Sequence, residues 1–296
     1  MKDMMKAFLV TFLVLIVQLI GWHYSNSLAL LGDTGHVLSD ALSIGASLTA
    51  MWLAMRAPTS RRTFGFHRVE VFAALFNGIL LTAMAGLILY EAYVRFGTGY
   101  QVDWMPMLLT AVFGLAGNIY VVYQLQHDEN LNVRSAFLHA AGDALSSVGV
   151  ILGAVLIMLT GQYVIDVAVS IVVSGVILFS AYSVLRTSLS ILLESAPYGA
   201  DVGKITEAVL SVDGVKGVHD VHVWRSCSEF TYAMMHVEAD DMPLGEARAL
   251  SMKIEEKLHH GFHIAHSTIQ FEPVGCSCQS QKSCHLVLHK KKRHAH

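Results

Sequence analysis

From Ala7 to Leu193 the chain alternates long apolar runs with short polar breaks, each run near the roughly 20 residues a helix needs to cross a hydrocarbon core. The pattern predicts six spans, over 7–24, 28–55, 70–95, 103–125, 133–159 and 163–187. The breaks carry turn signals: Ser25-Asn26-Ser27, Pro58 to Arg62, Gly97 to Gly99, His127 to Asn130 and Thr160-Gly161-Gln162. Past Pro197 the pattern changes. HDVHVW alternates polar and apolar residues and YAMMHVEAD does so less strictly, the period-two signal of strands. The stretch predicts helix 201–211, strand 216–226, strand 229–239, helix 244–260 and strand 263–272, with a turn at Asp213-Gly214. An αββαβ order with an antiparallel pair predicts a two-layer α+β domain. The expected organisation is therefore a six-helix transmembrane domain over 1–195, a small α+β domain over 196–275 and a Cys/His/Lys-rich tail over 276–296.

Composition agrees with a membrane protein. Hydrophobic residues make up 54% of the chain and charged ones 15%, and the mean hydropathy is +0.50, values foreign to a soluble domain. Basic residues fix the expected orientation. Lys2 and Lys6 precede the first span, Arg56, Arg61, Arg62 and Arg68 surround the second loop, and Arg134 flanks the fourth; the opposite side has Arg95. Both termini are thus expected in the cytoplasm. The first span resembles a signal peptide, but an even number of spans and the lack of an A-x-A site argue against cleavage.

Two apolar stretches share the pattern H-x-x-x-D-A-L-S, placing His36 with Asp40 and His139 with Asp143. An i,i+4 spacing puts both side chains on one helix face, so each helix offers one imidazole and one carboxylate. Two such helices face to face supply four N/O ligands, a tetrahedral set for zinc first, with cadmium, cobalt or manganese allowed by ligand type. The six-span topology makes the two copies antiparallel, as in the inverted repeats of transporters. A purely structural role is the bland alternative, and four ionisable groups at membrane depth weigh against it. Asp33, three residues before His36, reads as an exposed carboxylate at the helix start, with attraction of a departing ion as the other reading. Gln18, Asn77 and Asn118 read as polar ties between helices.

The stretches LALLGDTGHVLSDALS, RRTFGFHRVEVFAAL, LHAAGDALSS and VHDVHVW resemble the cation diffusion facilitators, a family of zinc and divalent metal exporters, from about Leu28 to Pro273. The resemblance implies a homodimer in a lipid bilayer, a ferredoxin-like cytoplasmic domain, and export of divalent metal in exchange for protons. It places the transport site on His36, Asp40, His139 and Asp143, with the His36 form implying zinc selectivity. It also implies a loop site at His67 with His266, a charge interlock between Arg68 and Glu194, and cytoplasmic metal ligands at His219, His236 and Glu272. Solvated loop residues are the alternative for the first pair, and interface anchors for the second. Cys276-x-Cys278 follows Glu272, so an imidazole, an acid and two thiols could close a zinc site there. Zinc is thus expected both as substrate and as a ligand of the cytoplasmic domain.

Cys227, Cys276, Cys278 and Cys284 are expected reduced, facing the cytoplasm. The tail from Lys282 is basic and His-rich; it reads as solvated, with loose metal binding or contact with anionic lipid as the functional alternative. Three function classes follow: a proton-coupled metal exporter, an intramembrane metalloenzyme, and a membrane metal sensor that signals without transport. The enzyme is disfavoured, because Val37 and Ala140 stand where H-E-x-x-H needs Glu, and a closed four-ligand site leaves no position for water. No nucleic-acid partner is expected. A compact chain without a long His-rich loop points to a bacterial inner membrane.

Overall fold

The computed structural model describes residues 2–54, 59–98, 100–125, 131–197, 199–227 and 230–275, and only the backbone over 131–142. The chain divides into two units, Met1–Ser188 and Leu189–His296. The first holds the long helices: α1 (Lys2–Ser25), α2 (Leu28–Ala54), α3 (Arg68–Arg95), α4 (Trp104–Leu125), α5 (Leu131–Thr160) and most of α6 (Val164–Leu192). All six lie where the apolar runs predict them, with α1 beginning five residues before its run and α6 ending five residues after its own.

Among the described residues, Phe8–Ser25, Arg68–Arg95, Asp143–Thr160 and Val164–Leu192 are long and apolar enough to cross a bilayer, and α4 adds a shorter apolar stretch, Trp104–Tyr120. In α2 the apolar run is interrupted by Asp33, His36 and Asp40. Large side chains point outward, among them Phe12 on α1, Phe76 and Tyr90 on α3 and Phe179 on α6. Water would penalise such a surface; hydrocarbon solvates it. Inside, small residues bring the helices together. Ala85 of α3 and Ala181 of α6 are fully buried with Leu81, Val173 and Ile177, while Ala29, Ala111 and Ala154 join α2, α4 and α5 around Met107 and Ile157.

Gln18, Asn77 and Asn118 tie helices as expected. Gln18 Nε2 donates to Asp33 Oδ2 at 2.7 Å, Asn77 Nδ2 to Ser39 Oγ at 2.8 Å, and Asn118 Nδ2 to Ser147 Oγ at 3.5 Å.

The N-terminus of α2 is held by a carboxylate from another helix. Asp166, buried in the first turn of α6, accepts hydrogen bonds from Ser27 Oγ, from the backbone N–H of Leu28 at 2.8 Å and of Ala29 at 3.2 Å, and from the Tyr100 hydroxyl at 3.0 Å. The donors that α2 cannot satisfy internally thereby meet an anion at the positive end of the helix. Burial and the adjacent carboxylate push the Tyr100 hydroxyl pKa well above its ordinary value. Arg95 joins the knot through the Asn26 carbonyl at 2.7 Å and lies 4.8 Å from the centre of the Tyr100 ring.

The second unit contains α7 (Val202–Leu210), β1 (Gly217–Arg225), β2 (Thr231–Ala239), α8 (Leu244–Phe262) and β3 (His266–Pro273). Its sheet has the order β1-β2-β3, with β1 antiparallel and β3 parallel to β2, the αββαβ arrangement expected of a ferredoxin-like domain. Asp201 caps α7, accepting from the N–H of Gly203 at 2.9 Å and of Lys204 at 3.3 Å. Ile205, Val209, Leu250, Ile254 and Leu258 of the helices pack on Val223, Ala233, Met235 and Val237 of the sheet. Helix α8 runs two residues beyond the expected end and stops at His263 in the left-handed conformation, φ 54°, so β3 begins at His266 rather than 263. Gly214 makes the expected turn at φ 99°.

Removing the Asp166 carboxylate leaves several buried donors without an acceptor, at ~1–3 kcal/mol each. Asp166→Ala is therefore expected to lower the melting temperature of the detergent-purified protein by several degrees, and Asp166→Asn, which keeps one acceptor oxygen, by less. A melting temperature for Asp166→Ala equal to the parent's would show that the knot adds no stability.

Candidate metal centres

His36 and Asp40 stand one turn apart on α2, and Asp143 faces them from α5. One ligand atom from each of the three lies within 4.8 Å of the others. His36 Nε2 and Asp143 Oδ1 are 2.6 Å apart and share a hydrogen bond. Asp143 is buried, and His36 and Asp40 are partly so. His139 sits one turn before Asp143 on α5, but its side chain lies outside the described residues. Three of the four expected ligands are thus brought together. The pairs Asp33 with Ser147 and His36 with Asp143 advance along α2 while retreating along α5, so the two helices run antiparallel here.

Asp33 is not the exposed carboxylate that its position suggests. It is 2% exposed and hydrogen-bonded to Gln18 and, at 3.3 Å, to Ser147 Oγ. The cause is packing by other helices: Gln18 of α1, Ser147 of α5 and the Gly114 backbone of α4 close around the second turn of α2 and place Asp33 inside the bundle.

A second cluster occupies the sheet of the cytoplasmic-type unit, with His219 of β1, His236 of β2 and Glu272 of β3 each offering a ligand atom within 4.8 Å of the others. His219 and His236 are register partners. His236 Nδ1 is 2.9 Å from Glu272 Oε1, and His219 Nε2 is 3.3 Å from Glu272 Oε2. Both atoms of the latter pair are buried without a hydrogen-bond partner. Two imidazoles and a carboxylate with orphaned, converging atoms fit a divalent cation such as zinc.

Three neighbours of this cluster were not among the expected ligands: Glu238, Asp220 and His222. Glu238 Oε1 lies 3.7 Å from His219 Nδ1, opposite Gly217, where a Cβ would come within 2.8 Å of the Glu238 carboxylate. Asp220 lies 3.8 Å from His236 Nε2 and 2.9 Å from His222 Nε2. Strict alternation over HDVHVW puts His219 and His222 on opposite faces. The structure breaks it with a register shift between them and with Asp220 at φ 51°, a bulge that turns both imidazoles to the face carrying His236. Glu238 was within reach of the sequence, being two residues from His236 on a strand; the bulge left no comparable signal.

The remaining expected residues are placed individually. His67 immediately precedes α3, with backbone φ −55° and no side-chain cap hydrogen bond, and Arg68 opens that helix. Glu194 follows α6 at φ 56°. His266 begins β3, its ring edge-on to Tyr232 at 6.2 Å. Cys227 is a buried free thiol. Cys276, Cys278, Cys284 and the tail lie outside the described residues.

Comparison with known proteins places these features in a family. Residues 4–193 match the cation efflux transmembrane domain, and residues 197–274 match the cation efflux protein cytoplasmic domain. The zinc transporter ZitB of Pectobacterium atrosepticum is 37% identical, covering 99% of this chain and 93% of that protein. A cadmium, cobalt and zinc/H(+)-K(+) antiporter of Bacillus subtilis is 35% identical, over 98% and 96% of the two chains. The metal cation efflux system protein CzcD of Cupriavidus metallidurans is 36% identical, over 88% and 83%. A solved structure of the metal-bound C-terminal domain of CzcD is 33% identical, covers 25% of this chain and 99% of that one, and has a TM-score of 0.22. The chain therefore belongs to the cation efflux family and is a multi-pass membrane protein for the efflux of divalent metal ions.

Proposed function

We propose that the protein exports zinc from the cytoplasm in exchange for protons, by alternating access at a four-ligand site made of His36, Asp40, His139 and Asp143. The observation that carries this reading is the convergence of His36, Asp40 and Asp143 from two antiparallel helices. His139, one turn from Asp143 on the same helix, supplies the fourth ligand. Two imidazoles with two carboxylates suit zinc, with cadmium and cobalt as secondary substrates. The zinc named for relatives at 35% and 37% identity supports the same choice. The basic residues at one side of the spans support cytoplasmic termini, and the bacterial relatives support an inner membrane.

Proton exchange follows from ligand chemistry. Imidazole must be neutral and carboxylate ionised to hold the cation, so metal binding expels protons and protonation expels metal. The 2.6 Å contact between His36 and Asp143 supports this reading, since a hydrogen bond between the two groups can link α2 to α5 where a metal ion otherwise would. On opening to a more acidic compartment the ligands gain protons, zinc affinity falls, and the empty carrier returns without bare carboxylates in hydrocarbon. Zinc flux in proteoliposomes is therefore expected to accelerate with an acid-outside gradient. His139→Ala and Asp143→Ala should each abolish gradient-driven flux while leaving the elution profile unchanged. Undiminished zinc accumulation after the gradient is collapsed, with the membrane potential clamped, would instead identify a uniporter. Zinc binding with no flux under any gradient would identify a sensor.

His36 is proposed to set metal choice, since aspartate there replaces a neutral nitrogen by a harder anionic oxygen. His36→Asp is expected to lower the zinc-to-manganese and zinc-to-cadmium flux ratios by about tenfold, equivalent to ~1.4 kcal/mol. Identical ratios in competition assays would remove His36 from selectivity.

The active form is proposed to be a homodimer held in part by the cytoplasmic domains, because among the described residues the three-stranded sheet is backed by helices on one face alone. That domain is also proposed to bind zinc through His219, His236 and Glu272, with Cys276 and Cys278 available to complete the set. A pairing of His67 with His266 and an interlock of Arg68 with Glu194 are further proposals from the family resemblance. Truncation after Pro197 should shift the detergent-solubilised protein toward monomer at matched dilution. Dimerisation as tight as in the full chain would place the interface elsewhere.

A further inference from the structure

One polar layer of the membrane unit lies outside the proposed ligand set. Helices α1, α2, α4 and α5 each contribute a side chain to it: Gln18, Asp33, Asn118 and Ser147. Gln18 Nε2 donates to Asp33 Oδ2 at 2.7 Å, Ser147 Oγ reaches the same oxygen at 3.3 Å, and Asn118 Nδ2 reaches Ser147 Oγ at 3.5 Å. Gly114 of α4 makes the room, for a Cβ there would stand 2.6 Å from Gln18 Nε2. Gln18 is fully buried, and its Oε1 has no hydrogen-bond partner among the described residues.

This layer adjoins the ligand set on both helices. Asp33 precedes His36 by three residues and Ser147 follows Asp143 by four, so each is about one turn, ~5 Å, further along its helix axis. Asp33, His36 and Asp40 form a single i, i+3, i+7 stripe on α2. A layer that only tied helices together would need no more than amides and hydroxyls. Instead it holds a buried carboxylate whose hydrogen-bond donors are uncharged, together with an unpaired amide oxygen, an arrangement that is costly at membrane depth unless a cation visits it.

We propose that this layer is a second cation station, one turn outward of His36, which receives the divalent ion as it leaves the imidazole–carboxylate site. Asp33 supplies the charge, and the oxygens of Gln18, Ser147 and Asn118 supply neutral donors. The set holds oxygen alone. Zinc, a borderline ion, binds such a set less tightly than one containing imidazole, so the station serves release rather than loading. The assignment of the outward side rests on the orientation proposed above.

The test is zinc flux by the full chain in proteoliposomes, with initial rates measured against zinc on the cytoplasmic face and, separately, against zinc preloaded on the opposite face. Asp33→Asn preserves shape and can still accept from Gln18, but removes the charge. The expected result is a half-saturating cytoplasmic zinc concentration within twofold of the parent's, a tenfold or greater fall in maximal rate, and a tenfold or greater rise in the opposite-face zinc that halves export. A generally weakened bundle lowers the number of active molecules and moves neither concentration. An opposite-face constant within twofold of the parent's overturns the station, whatever the maximal rate does. Should Asp33→Asn fail to fold, Gln18→Leu deletes the amide oxygen in an apolar shape. A threefold or greater rise in the same constant is then expected, and an unchanged constant overturns the proposal. A parent that moves no zinc under any gradient refutes the export reading itself, and this inference with it.

Discussion

A carboxylate placed at membrane depth has no water to turn to, and the membrane unit is organised around that fact. Asp166, Asp33 and Asp143 each sit inside the helix bundle, and each is held by a different kind of partner. Asp166 takes the backbone N–H groups at the start of α2 together with two hydroxyls. Asp33 takes an amide and a hydroxyl. Asp143 takes an imidazole. The first pairing joins an anion to a helix end and has a static role. The last joins an imidazole and a carboxylate, both of them ligand types for a divalent metal ion.

These three carboxylates also explain the packing around them. Helices that present polar groups to one another must approach closely enough for hydrogen bonds, which the small residues at their contacts permit. Gly114 admits Gln18 to Asp33, and Ala29, Ala111 and Ala154 let α2, α4 and α5 meet. The bulky residues are turned outward, to lipid. In the water-solvated unit the distribution is the ordinary one, with Ile205, Ile254, Leu258 and Met235 between helices and sheet, and its acid–imidazole cluster lies on three strands instead of two helices.

Element positions were legible in the sequence because apolar run length and strand alternation act locally: the six helices and the αββαβ order all fall within a few residues of expectation. The H-x-x-x-D pairs were legible because an i,i+4 spacing has one geometric meaning on a helix, and His36, Asp40 and Asp143 meet accordingly. What escaped depends on tertiary closeness or on a single backbone angle. Asp33 looked exposed because the burial of α2's second turn is decided by how α1, α4 and α5 pack on it, which no local pattern encodes. His222 and Asp220 were missed because a left-handed aspartate, at φ 51°, breaks an alternation that their sequence spells without interruption.

The His36–Asp143 hydrogen bond connects the folding problem to the transport problem. In the proposed cycle the carboxylates of an ion-free site would repel one another and splay α2 from α5, and a proton between His36 and Asp143, whose polar atoms lie 2.6 Å apart, would relieve that repulsion. With an ion, the same groups are drawn together by coordination. The two states therefore satisfy the same helices in alternative ways, and a carrier can cycle between them without exposing an unpaired charge to hydrocarbon. In the proposed exchange the costly case is the one neither protonated nor metal-bound, and that cost would couple the movement of metal in one direction to protons in the other.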